Sequence, residues 1–232
     1  AFSFDKLFYN NQSIGITLWW NQTSQGKQAP SVLETYTLSH QRNYNPSWGW
    51  LDGQAYYPNS KYTNVPVLSI RYEKKWTEKA VVQLNLGLAV GEQGTSQLDW
   101  TSTADPRPDY YRYLPSYSKD SSMRSQLNKW FESNPQALQI NFDRIQKINT
   151  ASVSKRSFYI INKNSAKIIS ARASALYNFQ FSNYWSTNAG MQIAKDKIHY
   201  FNVIDNLLGG EFFYNYNGWV IDDGLVNSFQ NN

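Results

Sequence analysis

Residues Ala80 to Gly91 read AVVQLNLGLAVG, and apolar side chains alternate there with polar or small ones. A period of two predicts an extended strand with one apolar face. A soluble sheet shows this pattern when the apolar face covers a core, and a transmembrane β-barrel shows it when that face meets lipid. A tilted strand needs about 9–11 residues to cross a bilayer. The stretch is long enough for either structure.

Further stretches of the chain repeat this alternation. Strands are predicted at Ser13–Trp20, Val65–Tyr72, Lys167–Phe181 and Trp185–Ala194, with Ala1–Phe4 as the end of another. The predicted connections are short at Asp5–Asn11, Glu73–Lys79 and Ser182–Tyr184, and long at Asn21–Thr63, Glu92–Ser165 and from Lys195 onward. Outer-membrane barrels have short periplasmic turns and long extracellular loops, which gives this alternation in length. We therefore expect an all-β fold, namely a segment of a transmembrane antiparallel β-barrel.

The longest predicted loop contains two helix-like segments. Apolar residues recur at helical spacing in Ser122–Phe131 and again in Pro135–Asn149. Asn134 is a suitable cap for the second segment, and Pro135 suits the first helical position. The sequence thus predicts an extracellular loop that carries short helices with a small core of its own.

Composition excludes several classes of protein. The mean hydropathy is −0.60, and no apolar run approaches the roughly 18 residues of a spanning helix. The net charge of +5 comes from 22 basic and 17 acidic residues without a basic run, so no nucleic-acid partner is expected. The absence of Cys excludes disulfides and thiolate chemistry. The 17 Tyr and 9 Trp suit membrane-interface girdles, but they also suit sugar-binding surfaces.

No catalytic constellation is present, so we expect neither an enzyme nor a cofactor or metal site. The chain's stiffest loop is Ala104–Pro115, ADPRPDYYRYLP, in which three prolines exclude a helix interior or a central strand. Arg107 lies between two carboxylates, Asp105 and Asp109, and an internal ion pair with either would fix the loop. The candidates for ligand contact or for loop packing are Trp48, Trp50, Asp105, Arg107, Asp109, Tyr110, Tyr111, Arg112 and Tyr113.

Several motifs resemble the TonB-dependent outer-membrane receptors of Bacteroidetes, the group with a carboxypeptidase-regulatory-like domain and a plug. The resemblance is most specific at Asp105–Tyr117, DPRPDYYRYLPSY, and it covers most of the chain. The other motifs, in the family's order, are Tyr44–Gly49, Leu98–Trp100, Gln139–Asp143 and Asp205–Gly210.

The resemblance implies that residues 1–232 are the middle portion of a barrel of about 22 strands, whose plug and remaining strands lie outside this sequence. The predicted segment has about five strands, and the smallest membrane barrels need 8. The implied function is import of a nutrient ligand at the cell outer membrane. The implied partners are outer-membrane lipid, the TonB complex through an N-terminal part, and a surface lipoprotein or larger outer-membrane complex. Two alternatives stay open: an accessory barrel that does not transport, and a soluble carbohydrate-binding β-sandwich.

Overall fold

The computed structural model describes residues 1–215 and 227–230. This part of the chain is mostly β-strand in antiparallel sheets, as the sequence predicts, and Gly49–Leu51 forms a short parallel pair with Ile140–Asn141. No helix among these residues has the length and apolar character needed to cross a membrane. The strands are β1 (Phe2–Phe8), β2 (Gln12–Trp19), β3 (Gln22–Gly26), β4 (Gly49–Leu51), β5 (Gln54–Tyr56), β6 (Ser60–Asn64), β7 (Val67–Thr77), β8 (Ala80–Trp100), β9 (Ile140–Asn141), β10 (Tyr159–Gln180), β11 (Ser186–Asn206), β12 (Phe212–Asn215) and β13 (Asn227–Gln230).

The helices are α1 (Leu33–Ser39), α2 (Ser121–Ser133) and α3 (Phe142–Thr150). Three short 3-10 helices occur at Tyr111–Tyr113, Pro115–Tyr117 and Pro135–Leu138. The chain divides into two compact units. The first consists of Ala1–Ser24, Tyr62–Gly94 and Ser165–Phe201, and the second of Gln25–Lys61, Thr95–Asn164 and Asn202–Asn232.

In the first unit, strand register sorts the side chains into alternating rows across the sheet, whose strand order is β1-β2-β7-β8-β10-β11. An apolar row across β1, β2, β7 and β8 consists of Phe4, Ile16, Ile70 and Leu86. The next row consists of Asp5, Gly15, Arg71 and Asn85. Because side chains alternate along a strand, one face of this sheet is apolar and the other polar.

A glycine lies beneath the ion pair of the polar row. Arg71 Nη2 lies 3.4 Å from Asp5 Oδ1, and the pair passes over Gly15 of the intervening strand. A Cβ at position 15 would lie 2.5 Å from that carboxylate oxygen. A side chain at position 15 would therefore displace the Asp5 carboxylate from its present place beside Arg71.

The strands are longer than their apolar alternation predicts, so several predicted connections are wrong. The turn predicted at Asp5–Asn11 lies in β1 up to Phe8, and most of Glu73–Lys79 lies in β7. Likewise β8 continues to Trp100, β10 begins at Tyr159, and β11 continues into the predicted loop after Lys195 as far as Asn206. In these added lengths apolar and polar side chains do not alternate regularly, so a period of two gives no signal there.

The second unit contains helices, 3-10 helices and short strands around small apolar clusters. The largest cluster contains Leu98, Ile140, Phe142, Ile145, Tyr159, Ile161 and Leu208. A second contains Tyr44, Phe131 and Leu138, and a third contains Ile160, Leu207 and Phe213. Strands β5, β4 and β9 form a short sheet of their own. The predicted loop core is thus present, and it draws on more of the chain than the helical segments alone.

The two predicted helices differ in outcome. The first is confirmed as α2, whose Asp120 cap accepts a hydrogen bond from the Ser122 amide at 2.8 Å. The prediction of one helix over Pro135–Asn149 is wrong, because a 3-10 turn and β9 precede α3. Asn134 does not cap through its side chain, since its amide group donates to the Trp130 carbonyl at 2.8 Å.

Candidate ligand-binding site

Arg107 and Asp105 form the ion pair that the sequence suggests. Arg107 Nη2 donates to Asp105 Oδ2 at 2.6 Å, and Arg107 Nε donates to Oδ1 at 3.0 Å. The Asp105 side chain is 11% exposed, and its hydrogen bond to the guanidinium raises the pKa of Arg107. The guanidinium also lies over the Trp100 ring, 5.3 Å from its centroid. A two-point contact of this kind fixes the loop in one geometry.

Asp109, the other candidate partner of Arg107, has a different contact. Its Oδ2 accepts a hydrogen bond from Ser31 Oγ at 2.8 Å, and no ion pair joins it to Arg107 in the described part of the chain. The two carboxylates that flank Arg107 in sequence therefore have separate structural tasks. Asp105 makes an ion pair within the loop, and Asp109 joins the loop to the segment that precedes α1.

Two tyrosine hydroxyls attach the same loop to its surroundings. Tyr113 Oη donates to the Asp105 carbonyl at 2.9 Å, and Tyr159 Oη donates to the Ala104 carbonyl, also at 2.9 Å. Partial burial of Tyr113 raises the pKa of its hydroxyl. Together with the ion pair, these hydrogen bonds give the loop a rigid frame.

Tyr110, Tyr111 and Tyr113 form a ring cluster with Arg112. The Tyr110 ring lies 4.9 Å from that of Tyr111 and 5.2 Å from that of Tyr113, both edge to face. Arg112 Nε donates to Tyr111 Oη at 3.0 Å, and this hydrogen bond lowers the pKa of Tyr111. Tyr111 and Tyr113 are exposed. The cluster thus presents aromatic edges and a cation to solvent.

Trp48 and Trp50 belong to a different cluster. Their rings meet edge to face at 5.4 Å, and Trp48 stacks on Tyr57 at the same centroid distance. No aromatic pair among the described residues joins this group to the tyrosines of the Asp105–Tyr117 loop. The sequence-based candidates therefore occupy two places in the second unit.

A cavity of about 580 Å³ lies beside the Asp105–Arg107 loop, within the second unit. Its volume is within the range of about 300–1,000 Å³ that small-molecule sites occupy. Aromatic and aliphatic side chains form much of its wall, with amide side chains between them. The lining includes Asp105, Arg107, Tyr113, Trp130, Gln139 and Arg144.

Two polar groups at this cavity lack partners within the described residues. Gln139 Oε1 is buried and accepts no hydrogen bond. The guanidinium of Arg144 is exposed and makes no ion pair or hydrogen bond there. The backbone amide of Arg144 donates to Oδ1 of Asn141, the N-cap residue of α3, at 2.8 Å. Buried polar groups in proteins are usually paired, so Gln139 Oε1 indicates where a ligand could donate a hydrogen bond. Arg144 adds an exposed cation at the same cavity.

The structure thus places Asp105, Arg107 and Tyr113 at a cavity, and places Trp48, Trp50, Asp109, Tyr110, Tyr111 and Arg112 outside its lining. The sequence did not single out Trp130, Gln139 or Arg144 as site residues. The sequence marks two of these residues for other reasons: Trp130 belongs to the apolar stripe of α2, and Gln139 belongs to one of the resemblance motifs. Arg144 carries no sequence signal, because only the fold brings α3 beside the loop.

No protein-family model, curated protein or solved structure matches the chain. Within residues 1–215 and 227–230, no group of three or more His, Asp or Glu side chains could hold a metal ion. The described lining of the cavity offers one ion pair, one guanidinium without an ion-pair partner, amides and an aromatic wall.

Proposed function

We propose that the chain is part of an outer-membrane TonB-dependent receptor that captures a nutrient ligand outside the cell and imports it through a plugged β-barrel. The observation that carries the proposal is the two-faced sheet of the first unit. Its apolar side chains are exposed: Leu86 by 53% and Leu88 by 48%. In a soluble domain such a face covers a core, whereas lipid covers it in a membrane barrel.

The polar face supports the same assignment. Across it, Gln83 Nε2 donates to Glu73 at 3.0 Å, and Asn85 Nδ2 donates to Ser174 at 3.3 Å. Polar side chains that pair across strands suit the water-filled or plug-filled interior of a barrel. The aliphatic rows then form the outward surface.

The sheet order implies further strands. In the described residues the large sheet ends at β1 on one side and β11 on the other. An open sheet edge within hydrocarbon leaves backbone groups without hydrogen bonds, and membrane proteins avoid this by closing the barrel. We assign the missing neighbours to the rest of a larger barrel. The partners would then be outer-membrane lipid, a surface lipoprotein or larger outer-membrane complex, and the TonB complex through a part outside these 232 residues.

An accessory barrel that does not transport is the alternative that shares this sheet. The two functions differ at the second unit, since a receptor needs a ligand site on its exterior loops. The cavity beside Arg107, with its unpaired Arg144, favours the receptor.

Labelling of single cysteines on intact cells tests the membrane topology. The parent chain has no Cys, so a label reports one position only. We expect an impermeant maleimide to label Lys119→Cys in the exterior loops, and to label Thr77→Cys at the end of β7 only after lysis. Labelling of Thr77→Cys on intact cells, with Lys119→Cys protected until lysis, would contradict the topology.

A further inference from the structure

We infer that the cavity beside the Asp105–Arg107 loop binds the carboxylate end of a short, apolar peptide. The inference names a ligand class for the proposed receptor and rests on that function for its biological context. Binding itself requires only the second unit, so it can be tested separately from import.

The charged side chains that line the cavity determine the charge that a ligand must carry. Of the residues that the structure describes, three charged side chains line it, namely Asp105, Arg107 and Arg144. Asp105 and Arg107 neutralise each other through two-point contact. Arg144 is left as the one uncompensated charge of the lining, and a guanidinium prefers a planar carboxylate as its partner. The ligand should therefore present an anion.

The second requirement is a hydrogen-bond donor. Gln139 Oε1 is buried at the cavity and has no donor among the described residues. A buried acceptor without a partner costs stability, which a ligand N–H group would restore. A peptide terminus supplies both groups on one molecule, with the carboxylate for Arg144 and a backbone N–H for Gln139.

The walls of the cavity require apolar side chains on the ligand. Trp130, Phe131, Leu127, Ile145 and Ile148 line the same cavity and offer apolar surface to side chains of the ligand. Aromatic and aliphatic walls with a few placed polar groups are the usual composition of a small-molecule site. A neutral sugar has no anion for Arg144 and little apolar surface for the aliphatic residues.

The test is calorimetric titration of the protein in detergent micelles with acetyl-Leu-Leu-Leu, which ends in a free carboxylate. Its C-terminal amide is the matched ligand control. A charged hydrogen bond contributes enough that we expect the acid to bind about 10-fold to 100-fold more tightly than the amide.

Variants locate the contact. Arg144→Gln should remove the preference for the acid, while Lys147→Gln, an exposed cation on the same helix outside the cavity lining, should retain it. Gln139→Met should weaken both peptides to the same degree and leave the preference intact. Circular dichroism of each variant verifies that the fold is kept.

Equal affinity of the parent protein for the two peptides, or no binding of either, would overturn the inference. A preference for the acid that survives Arg144→Gln would overturn it as well. None of these results would alter the labelling pattern expected of the membrane sheet, so failure of the ligand assignment and failure of the proposed receptor are distinguishable.

Discussion

The fully buried side chain of Asn149 joins three segments of the second unit through hydrogen bonds. Its Nδ2 donates to the carbonyls of Tyr159, Leu207 and Leu208 at 2.8–3.0 Å. Its Oδ1 accepts from the amides of Phe158 and Tyr159 at 2.9 and 3.2 Å. A single amide thus satisfies backbone groups that would otherwise be buried without partners.

Replacement of this amide should be costly. We expect Asn149→Leu to lower the free energy of unfolding by about 3–5 kcal/mol, because several buried backbone groups lose their partners at once. Lys147→Leu, on the exposed side of the same helix, serves as the control and should change it by less than about 0.5 kcal/mol. Similar losses for the two variants in denaturant titrations would show that Asn149 is not a structural centre.

Tyr44 predicts a loss of stability in alkaline solution. Its ring is fully buried, its hydroxyl donates to the Leu138 carbonyl at 2.7 Å, and burial raises its pKa above the ordinary 10.0. Above about pH 10 the unfolded chain releases this proton while the folded chain retains it. The unfolded state therefore binds fewer protons, and stability falls as pH rises.

Comparison of the parent with Tyr44→Phe isolates this contribution. Between pH 9 and pH 11 the parent should lose more stability than Tyr44→Phe, whose residue 44 does not titrate. At pH 8 the variant itself should be less stable by about 1 kcal/mol, because it lacks the hydrogen bond. Parallel stability curves for the two proteins across this pH range would contradict the assignment.

The hairpin of β7 and β8 carries the sharpest test of the two faces. Leu86 lies opposite Ile70 in the apolar row, and Gln83 lies opposite Glu73 on the polar face. In lipid, Leu86→Arg should destabilise the protein by about 2–4 kcal/mol, the range for a cation at mid-bilayer. Gln83→Arg should be nearly neutral, because its neighbour is a carboxylate. Asn85 is a poorer control since Arg71 lies opposite it, and like charges there repel.

Refolding titrations in lipid vesicles measure this difference. Equal destabilisation by Leu86→Arg and Gln83→Arg would mean that the two faces of the hairpin have the same surroundings, and the apolar rows would then not face lipid.

Strands in this protein can be predicted from sequence where their apolar period is intact. The stretch around Leu86 and that around Ile16 are examples, because alternation there reports which face each side chain occupies. Strand ends cannot be predicted in this way: β8 continues through polar residues such as Glu92 and Gln93, where the apolar alternation has already ended. Gly91 and Gly94, which would usually mark the end of a strand, lie inside β8.

The candidate site could be predicted only in its local part. Arg107 and Asp105 are two residues apart, so their pairing follows from sequence proximity. Asn149 contacts Leu207 across 58 positions, and Arg144 meets the loop only after α3 packs on its cluster. Contacts of this kind depend on the fold as a whole, and spacing in the sequence carries no record of them.

At the scale of the whole protein, the proposed receptor requires lipid on one face of the first unit and water or plug on the other. Single cysteines at Leu86 and at Gln83, each carrying a bimane fluorophore, can report both faces after reconstitution of the protein into vesicles of brominated phosphatidylcholine. Bromine quenches a fluorophore that contacts the acyl chains. We predict strong quenching for the label at Leu86→Cys and little at Gln83→Cys, and equal quenching at the two positions would contradict a lipid-facing sheet.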